Sequence, residues 1–287
     1  MAEGILAAVV AVICICLAAA VWDSNRFVTV TYEIRSDKIT RPCRLALLSD
    51  LHNKSFGEGN SRLLAAIDKS APDGILVAGD MLTAERGADF GHALSLMEKL
   101  AAGYRIYYGM GNHEYRLGLY PDDYPGMYEE YMSGLKQAGI EPLINETVYL
   151  PGCNIAICGA QIDRAYYRHF RRKPMEKPYL PKLLGTPDRE MFQLLIAHNP
   201  VYFDAYAEWG ADLVVSGHVH GGIMRLPVLG GVLSPALTLF PKYDGGMFQE
   251  NKSTMILSRG LSSHTLPVRI FNPGELIVID LLPGTDL

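Results

Sequence analysis

The stretch Ser216-Gly217-His218-Val219-His220-Gly221-Gly222 sets two imidazoles one residue apart, directly after the apolar run Leu213-Val214-Val215. In an extended segment, residues i and i+2 face the same way, so the pair is predicted on one side of a cleft at the mouth of a buried strand. The flanking glycines allow a sharp turn and a close backbone approach to whatever the imidazoles hold. Alone, two spaced histidines say little. Upstream, however, apolar segments end in side chains of the same kind: Asp50 with His52, then Asp80, then Asn112 with His113 and Glu114, then His198. Five of the eight histidines thus fall at predicted strand ends beside carboxylates and an amide. Nitrogen and oxygen donors without thiolate suit Mn first, with Fe or Zn as alternatives, rather than Ca or a cysteine-type zinc site. The set is too large for one ion. Two divalent ions sharing one carboxylate, as in hydrolytic sites with ions ~3.5–4 Å apart, accommodate it.

These side chains need elements to carry them. Asp50, Asp80 and Asn112 are separated by 30 and 32 residues, about the length of one βαβ unit. Each polar residue is therefore predicted at the carboxyl end of a parallel strand, where open α/β sheets place their ligands. Apolar and β-branched runs predict strands over residues 27–34, 44–48, 75–77, 105–108, 154–157, 193–196 and 213–215, with closing strands over 255–257 and 276–279. Helical periodicity falls near residues 63–67, 93–100, 128–138 and 200–209, the last with Pro200 in its first turn. Nothing from Arg26 onward reads as a linker, so residues 24–287 are expected to form one domain.

The 287 residues carry a net charge of −5, with 49% hydrophobic and 20% charged residues. That is a globular composition, and it lacks the basic excess of a dedicated nucleic-acid binder. Residues 4–22 form an uncharged run rich in Ala, Val, Ile and Leu. As a helix it would extend roughly 28 Å at ~1.5 Å per residue, close to the thickness of a bilayer core. Residues 1–23 are therefore expected to be a single-pass membrane anchor. A cleaved signal peptide is the alternative, since Ala18-Ala19-Ala20 offers small residues, but no Lys or Arg precedes the run. Arg26, Arg35, Lys38, Arg41 and Arg44 all follow it, which places the large domain in the cytoplasm by the positive-inside rule, an extracytoplasmic placement being the other option. Of five cysteines, Cys14 and Cys16 lie in the apolar run, and Cys43, Cys153 and Cys158 are expected to be small buried residues.

Asp50-x-His52, Gly79-Asp80, Gly111-Asn112-His113-Glu114, His198 and Gly217-His218-x-His220 together resemble the five motifs of the calcineurin-like metallophosphoesterase superfamily, in its order. The resemblance implies a four-layer α/β/β/α sandwich. It implies that Asp50, His52, Asp80 and His220 hold one divalent metal ion, and that Asp80 bridges to a second completed by Asn112, His198 and His218. His113 would be a catalytic residue rather than a ligand, steadying the transition state or protonating the leaving oxygen. The implied reaction is phosphoester hydrolysis, with a hydroxide shared by the ions attacking phosphorus. Asn60 and Glu114 are candidates to support the ligands.

The chain looks most like the membrane-anchored bacterial branch that includes phosphodiesterases and UDP-2,3-diacylglucosamine pyrophosphatases, on Gly-His-x-His-Gly-Gly, Ser258-Arg259-Gly260-Leu261 and Pro267-x-Arg269. Ile223 departs from the glutamine more common there. Gly79-Asp80 continues as Met81-Leu82-Thr83-Ala84-Glu85, unlike phosphoprotein phosphatases. A lipid-linked phosphoester is thus the expected substrate, the membrane the expected partner, and no nucleic acid is expected. An exported broad phosphatase or nuclease and a non-catalytic membrane scaffold remain alternatives. Residues 163–182, with Arg164, Arg168, Arg171, Arg172, Lys173, Lys177 and Lys182 among Tyr166, Tyr167, Phe170 and Tyr179, read either as a solvated face or as a basic-aromatic lip for anionic headgroups. Residues 226–240 read as loop packing or as an apolar wall for acyl chains.

Overall fold

Alternation along one short strand accounts for the layering. In β2 (Cys43–Leu48), Leu45 and Leu47 point to one apolar core while Ala46 and Leu48 point to another. A strand buried on both faces needs a layer on either side, and the chain supplies them. The structure is a computed structural model, describing residues 1–167, 173–226, 230–232, 239–263 and 268–284.

The first sheet runs in the order β1 (Phe27–Ser36), β14 (Gly274–Pro283), β2, β3 (Gly74–Val77), β4 (Ile106–Gly109), β5 (Pro142–Leu143). Strands β2 to β5 pair in parallel, and β14 enters antiparallel to β2. The second sheet runs β12 (Gly246–Glu250), β13 (Ser253–Leu257), β9 (Leu213–Ser216), β8 (Phe192–Ala197), β7 (Ile155–Ala160), β6 (Thr147–Leu150). Its central strands β7, β8, β9 and β13 are parallel.

Three apolar cores separate four layers. Leu45, Leu47, Leu76, Ile157, Leu194, Ile196, Val215 and Ile277 fill the space between the sheets. Ala46, Leu48, Ile75 and Val77 face α2 (Ser61–Ser70), α3 (Gly91–Ala101) and α5 (Met127–Gln137) through Leu63, Ile67, Leu96, Leu100, Tyr131 and Leu135. Leu195 and Val214 face α6 (Tyr179–Leu184) and α7 (Phe203–Trp209) through Leu180, Phe203 and Tyr206. The α/β/β/α sandwich expected from the sequence is the fold. The 200–209 segment divides into a 3-10 turn over Pro200–Tyr202 and then α7. The sequence reading did not anticipate α4 (Asn112–Leu119), which starts immediately after β4.

Helix α1 (Ala2–Ser24) is long and apolar enough to cross a membrane, and its buried residue is Asp23. Asn25 and Arg26 alone separate it from β1. Cys43, Cys153 and Cys158 are buried.

The basic-aromatic lip is corrected in part. Tyr166 and Tyr167 are buried in the core beneath the second sheet, so these two rings are not displayed to a membrane, while Tyr179 packs against that core and is partly buried. Apolar contact with Tyr202, whose ring lies 5.2 Å from that of Tyr166, outweighs their placement beside charged residues. Arg168, His169, Phe170, Arg171, Arg172, His264 and Pro267 lie outside the described residues, as does most of 226–240.

Candidate metal centre

Every candidate ligand sits just beyond the carboxyl end of a strand: Asp50 and His52 after β2, Asp80 after β3, Asn112 after β4, His198 after β8, His218 and His220 after β9. The two sheets bring these ends together. Asp50, His52 and His220 offer ligand atoms within 4.8 Å of one another, and so do Asp80, His198 and His218. Asp80 also groups with His52 and His113. Nε2 of His198 lies 2.9 Å from Asp80 Oδ2 and 3.9 Å from Asp50 Oδ1, and Nε2 of His220 lies 3.8 Å from Asp50 Oδ1.

The extended geometry expected for the two-histidine stretch is not what forms. His218 (φ 76°) and His220 (φ 53°) both adopt the left-handed conformation, so their rings turn to different groups rather than lining one side. Asp50 (φ 52°), His52 (φ 48°) and Asp80 (φ 56°) share that conformation. For non-glycine residues this costs about 1–2 kcal/mol apiece, strain that a rigid scaffold must hold. The turn is clamped on Asp50, whose carboxylate accepts from the backbone N–H of His218 at 3.0 Å and the hydroxyl of Ser49 at 2.5 Å. Gly217 permits this approach, since a Cβ there would lie 1.9 Å from Ser49 Oγ and 2.3 Å from Asp50 Oδ2.

Around Asp80 the supports come from α4. The N–H of His113, in the helix's first turn, donates to Asp80 Oδ1 at 2.8 Å, where helix polarity favours an anion. Burial opposes the Asp80 charge, but His198 and His113 outweigh it and hold the carboxyl well below the usual carboxylate range. Glu114 accepts from the backbone N–H groups of Asp80, Met81 and Gly111 and from Tyr108 Oη, tying the two turns together. Burial and the neighbouring Asp80 charge push its carboxyl up to about 7. Asn60, the other candidate support, accepts instead from Phe56 N–H in the loop before α2.

Hydrogen bonds at Nδ1 sort the histidines. His198 Nδ1 faces the carbonyl of Ala78 at 2.6 Å and His220 Nδ1 that of Ser262 at 2.9 Å, which turns each Nε2 inward as a donor atom for a metal. His52 Nδ1 pairs with Thr83 Oγ1 at 3.2 Å. His113 is the reverse case, its Nδ1 accepting the N–H of Ala84 at 2.8 Å.

Whether divalent ions fit can be judged from Asn112. Its Oδ1 is shielded from solvent and has no hydrogen-bond partner among the described residues, an expensive state for an amide oxygen unless a cation meets it. The donor set is oxygen and nitrogen only, as hard to borderline divalent ions prefer. The residues fit.

The calcineurin-like phosphoesterase family matches residues 43–222, which contain all these candidate ligands. The chain belongs to that family. An uncharacterized metallophosphoesterase of Campylobacter jejuni is 24% identical over 253 residues, covering 87% of this chain and 62% of the relative. A putative metallophosphoesterase of Caenorhabditis elegans is 28% identical, covering 83% of this chain and 48% of its own length. The chain therefore spans less than two thirds of either. The phosphodiesterase YaeI of Escherichia coli is 24% identical, covering 77% of this chain and 76% of that protein. Among solved structures, a dimetal phosphatase of Danio rerio covers 76% of this chain and 87% of that chain at 12% identity, with a TM-score of 0.42.

Sequence reading missed the outer supports. Arg269 stands in the Pro267-x-Arg269 motif, but nothing in the sequence signals its burial or its bonds to the carbonyls of Arg259, Ser262 and Asn272. Asn272, fully buried, carries no local signal at all.

Proposed function

We propose that this member of the calcineurin-like phosphoesterase family is a membrane-anchored two-metal phosphodiesterase or pyrophosphatase acting on a lipid-linked phosphoester, of which UDP-2,3-diacylglucosamine is one candidate. Residues 1–23 are the anchor and 24–287 the catalytic unit, facing the cytoplasm. The observation that carries the reading is the abutment of Asp50–His52–His220 with Asp80–His198–His218, Asp80 reaching into the neighbouring group. In this reading Asp50, His52, Asp80 and His220 hold one ion, and Asp80, Asn112, His198 and His218 the other. Manganese is the first choice. Bound divalent ions supply Lewis acidity toward phosphoryl oxygens and acidify water near neutral pH.

The chain's own residues do the rest. Asp80, kept ionised by its neighbours, is available to two cations at once. Ala78 and Ser262 fix the rings of His198 and His220, so that no reorientation is needed when charge develops. His113, with Nδ1 occupied by Ala84, carries its proton on Nε2, 4.0 Å from Asp80 Oδ2 at the centre of the cluster. From there the Nε2 proton is placed to hydrogen-bond the departing ester oxygen and steady the charge that develops on it. The phosphodiester preference is supported by the likeness to YaeI, and the lipid link by the apolar α1.

The test is an assay series on the Mn-loaded protein with a bis-aryl phosphodiester, an aryl phosphomonoester and UDP-2,3-diacylglucosamine. Turnover of the diester and the lipid above the monoester is expected. Faster monoester hydrolysis overturns the diesterase reading, and no turnover with metal confirmed bound leaves the scaffold alternative standing.

A further inference from the structure

One buried charge has no part in the metal centre. Asp23, at the end of an otherwise exposed apolar helix, is 3% exposed. A carboxylate is buried only when paired, and this one accepts from Arg26 Nε at 2.9 Å and from the backbone N–H of Asn272 at 3.0 Å. Asn272 is itself fully buried, and its amide donates to the carbonyls of His220 at 2.8 Å and Gly222 at 2.7 Å. Two side chains therefore join α1 to the turn that carries His218 and His220.

The opposite side is braced as well. Lys54, two residues after His52, donates through Nζ to the carbonyl of Ser24 at the end of α1, and Arg62 Nη2 donates to the carbonyl of Asn25 at 3.2 Å. Beyond the helix the two-residue link gives no slack. The N–H of Gly274 bonds the carbonyl of Arg26, and Phe27 pairs with Gly274 at the start of the β1–β14 ladder. Around the same level stand groups suited to a membrane surface. Trp22 is 69% exposed with Arg26 over its ring, and Phe271, next to Asn272, is 46% exposed. Aromatic rings and cations at the end of an apolar helix mark the headgroup level of a bilayer containing anionic lipid.

We propose that Asp23, Asn272 and Lys54 form a rigid clasp between α1 and the two ligand-bearing turns, so that the helix, seated in a lipid bilayer, holds the metal centre at the height of lipid headgroup phosphates. This rests on the proposed membrane-anchored phosphoesterase. It makes Asp23 and Lys54 positioning residues that select phosphoesters embedded in the membrane over those in solution. A flexible tether would give no such selection, because the site would sample many heights.

The test uses the full chain reconstituted in phosphatidylcholine–phosphatidylglycerol vesicles. Turnover of a diacylglycerol phosphodiester with a chromogenic aryl leaving group, in the same vesicles, is compared with that of a water-soluble bis-aryl phosphodiester. Asp23→Ala should lower the lipid-to-soluble ratio at least tenfold while the soluble rate changes less than threefold. Lys54→Met should lower the ratio at least threefold, and it carries the test if Asp23→Ala does not fold. Equal losses on both substrates, or an unchanged ratio, overturn the clasp. A readout without catalysis is the quenching of Phe271→Trp by lipids brominated on the acyl chain, measured against the parent protein with its own two tryptophans. Added quenching that falls at least twofold with Asp23→Ala, or with Lys54→Met in its place, supports the clasp. No added quenching, or quenching indifferent to the clasp variant that folds, overturns it. A parent protein inactive on both substrates but showing clasp-dependent quenching rejects the proposed activity and keeps the clasp.

Discussion

The backbone N–H of Ala84 donates to Nδ1 of His113 at 2.8 Å, which leaves the ring proton of the neutral imidazole on Nε2. His220 is oriented in the opposite sense, its Nδ1 at the Ser262 carbonyl and its Nε2 toward Asp50. One hydrogen bond thus separates a ring that presents an N–H from a ring that presents a lone pair, the latter the proposed metal ligand. His113→Ala should retain the proposed ions by elemental analysis while the rate falls ~10²–10³-fold, the usual worth of one hydrogen bond to charge developing in the transition state. Comparable loss of metal would make His113 a ligand.

His198 predicts the proton stoichiometry of metal loading. Both ring nitrogens face acceptors, Ala78 O and Asp80 Oδ2. Burial alone would lower its pKa, but Asp80, Asp50 and the Ala78 carbonyl outweigh burial and push it up to about 10. The folded value lies above the unfolded ~6.5, so this imidazolium stabilises the ion-free protein fully below ~6.5, and the contribution is lost as pH rises through about 10. A metal takes Nε2 only after its proton leaves, so affinity should tighten with rising pH. Calorimetry at neutral pH in buffers of different ionisation enthalpy should show about one proton released by this residue. Release undiminished in His198→Gln would contradict the assignment.

Gly217 tests the clamp on Asp50. Gly217→Ala puts a Cβ where Ser49 Oγ and Asp50 Oδ2 now lie. Displacement of Asp50 should weaken metal binding ~10–100-fold and cost about 1–3 kcal/mol of stability. Gly103→Ala, where nothing lies within 4 Å, is the control. Metal titration and thermal unfolding of the pair decide it, and equal behaviour of the two variants would refute the clamp.

Arg269 is expected to hold the far wall of the site together. Its guanidinium is buried, and burial first, then Arg259, pulls its pKa down to about 10. It donates to the carbonyl of Ser262, the same oxygen that faces His220 Nδ1. Arg269→Met leaves several buried carbonyls without donors and should cost about 3 kcal/mol in urea unfolding. It should also loosen the metal that His220 is proposed to hold, so a variant of unchanged stability and metal affinity would refute the role.

The buried strands of both sheets and the identities of the clustered side chains were legible in the sequence, whereas the edge strands β5, β6 and β12 were not. Apolar runs ending in Asp50, Asp80, Asn112, His198 and His218 reflect buried parallel strands with polar carboxyl ends, and both features depend only on near neighbours in the chain. The conformation of the two-histidine turn was not legible, because His218 and His220 take left-handed backbones only once Asp50, 168 residues away from His218, closes on the turn. Nor were the roles of the rings. Ala84 meets His113 across 29 residues, Ser262 meets His220 across 42, and Ala78 meets His198 across 120. The burial of Tyr166 and Tyr167 belongs with these, since an aromatic ring beside charged residues is drawn inward only when a core is there to receive it. Residue type and period set what each segment can become. Which nitrogen carries a proton, and which charge is buried, depends on hydrogen-bond partners that only the packing of two sheets brings within reach.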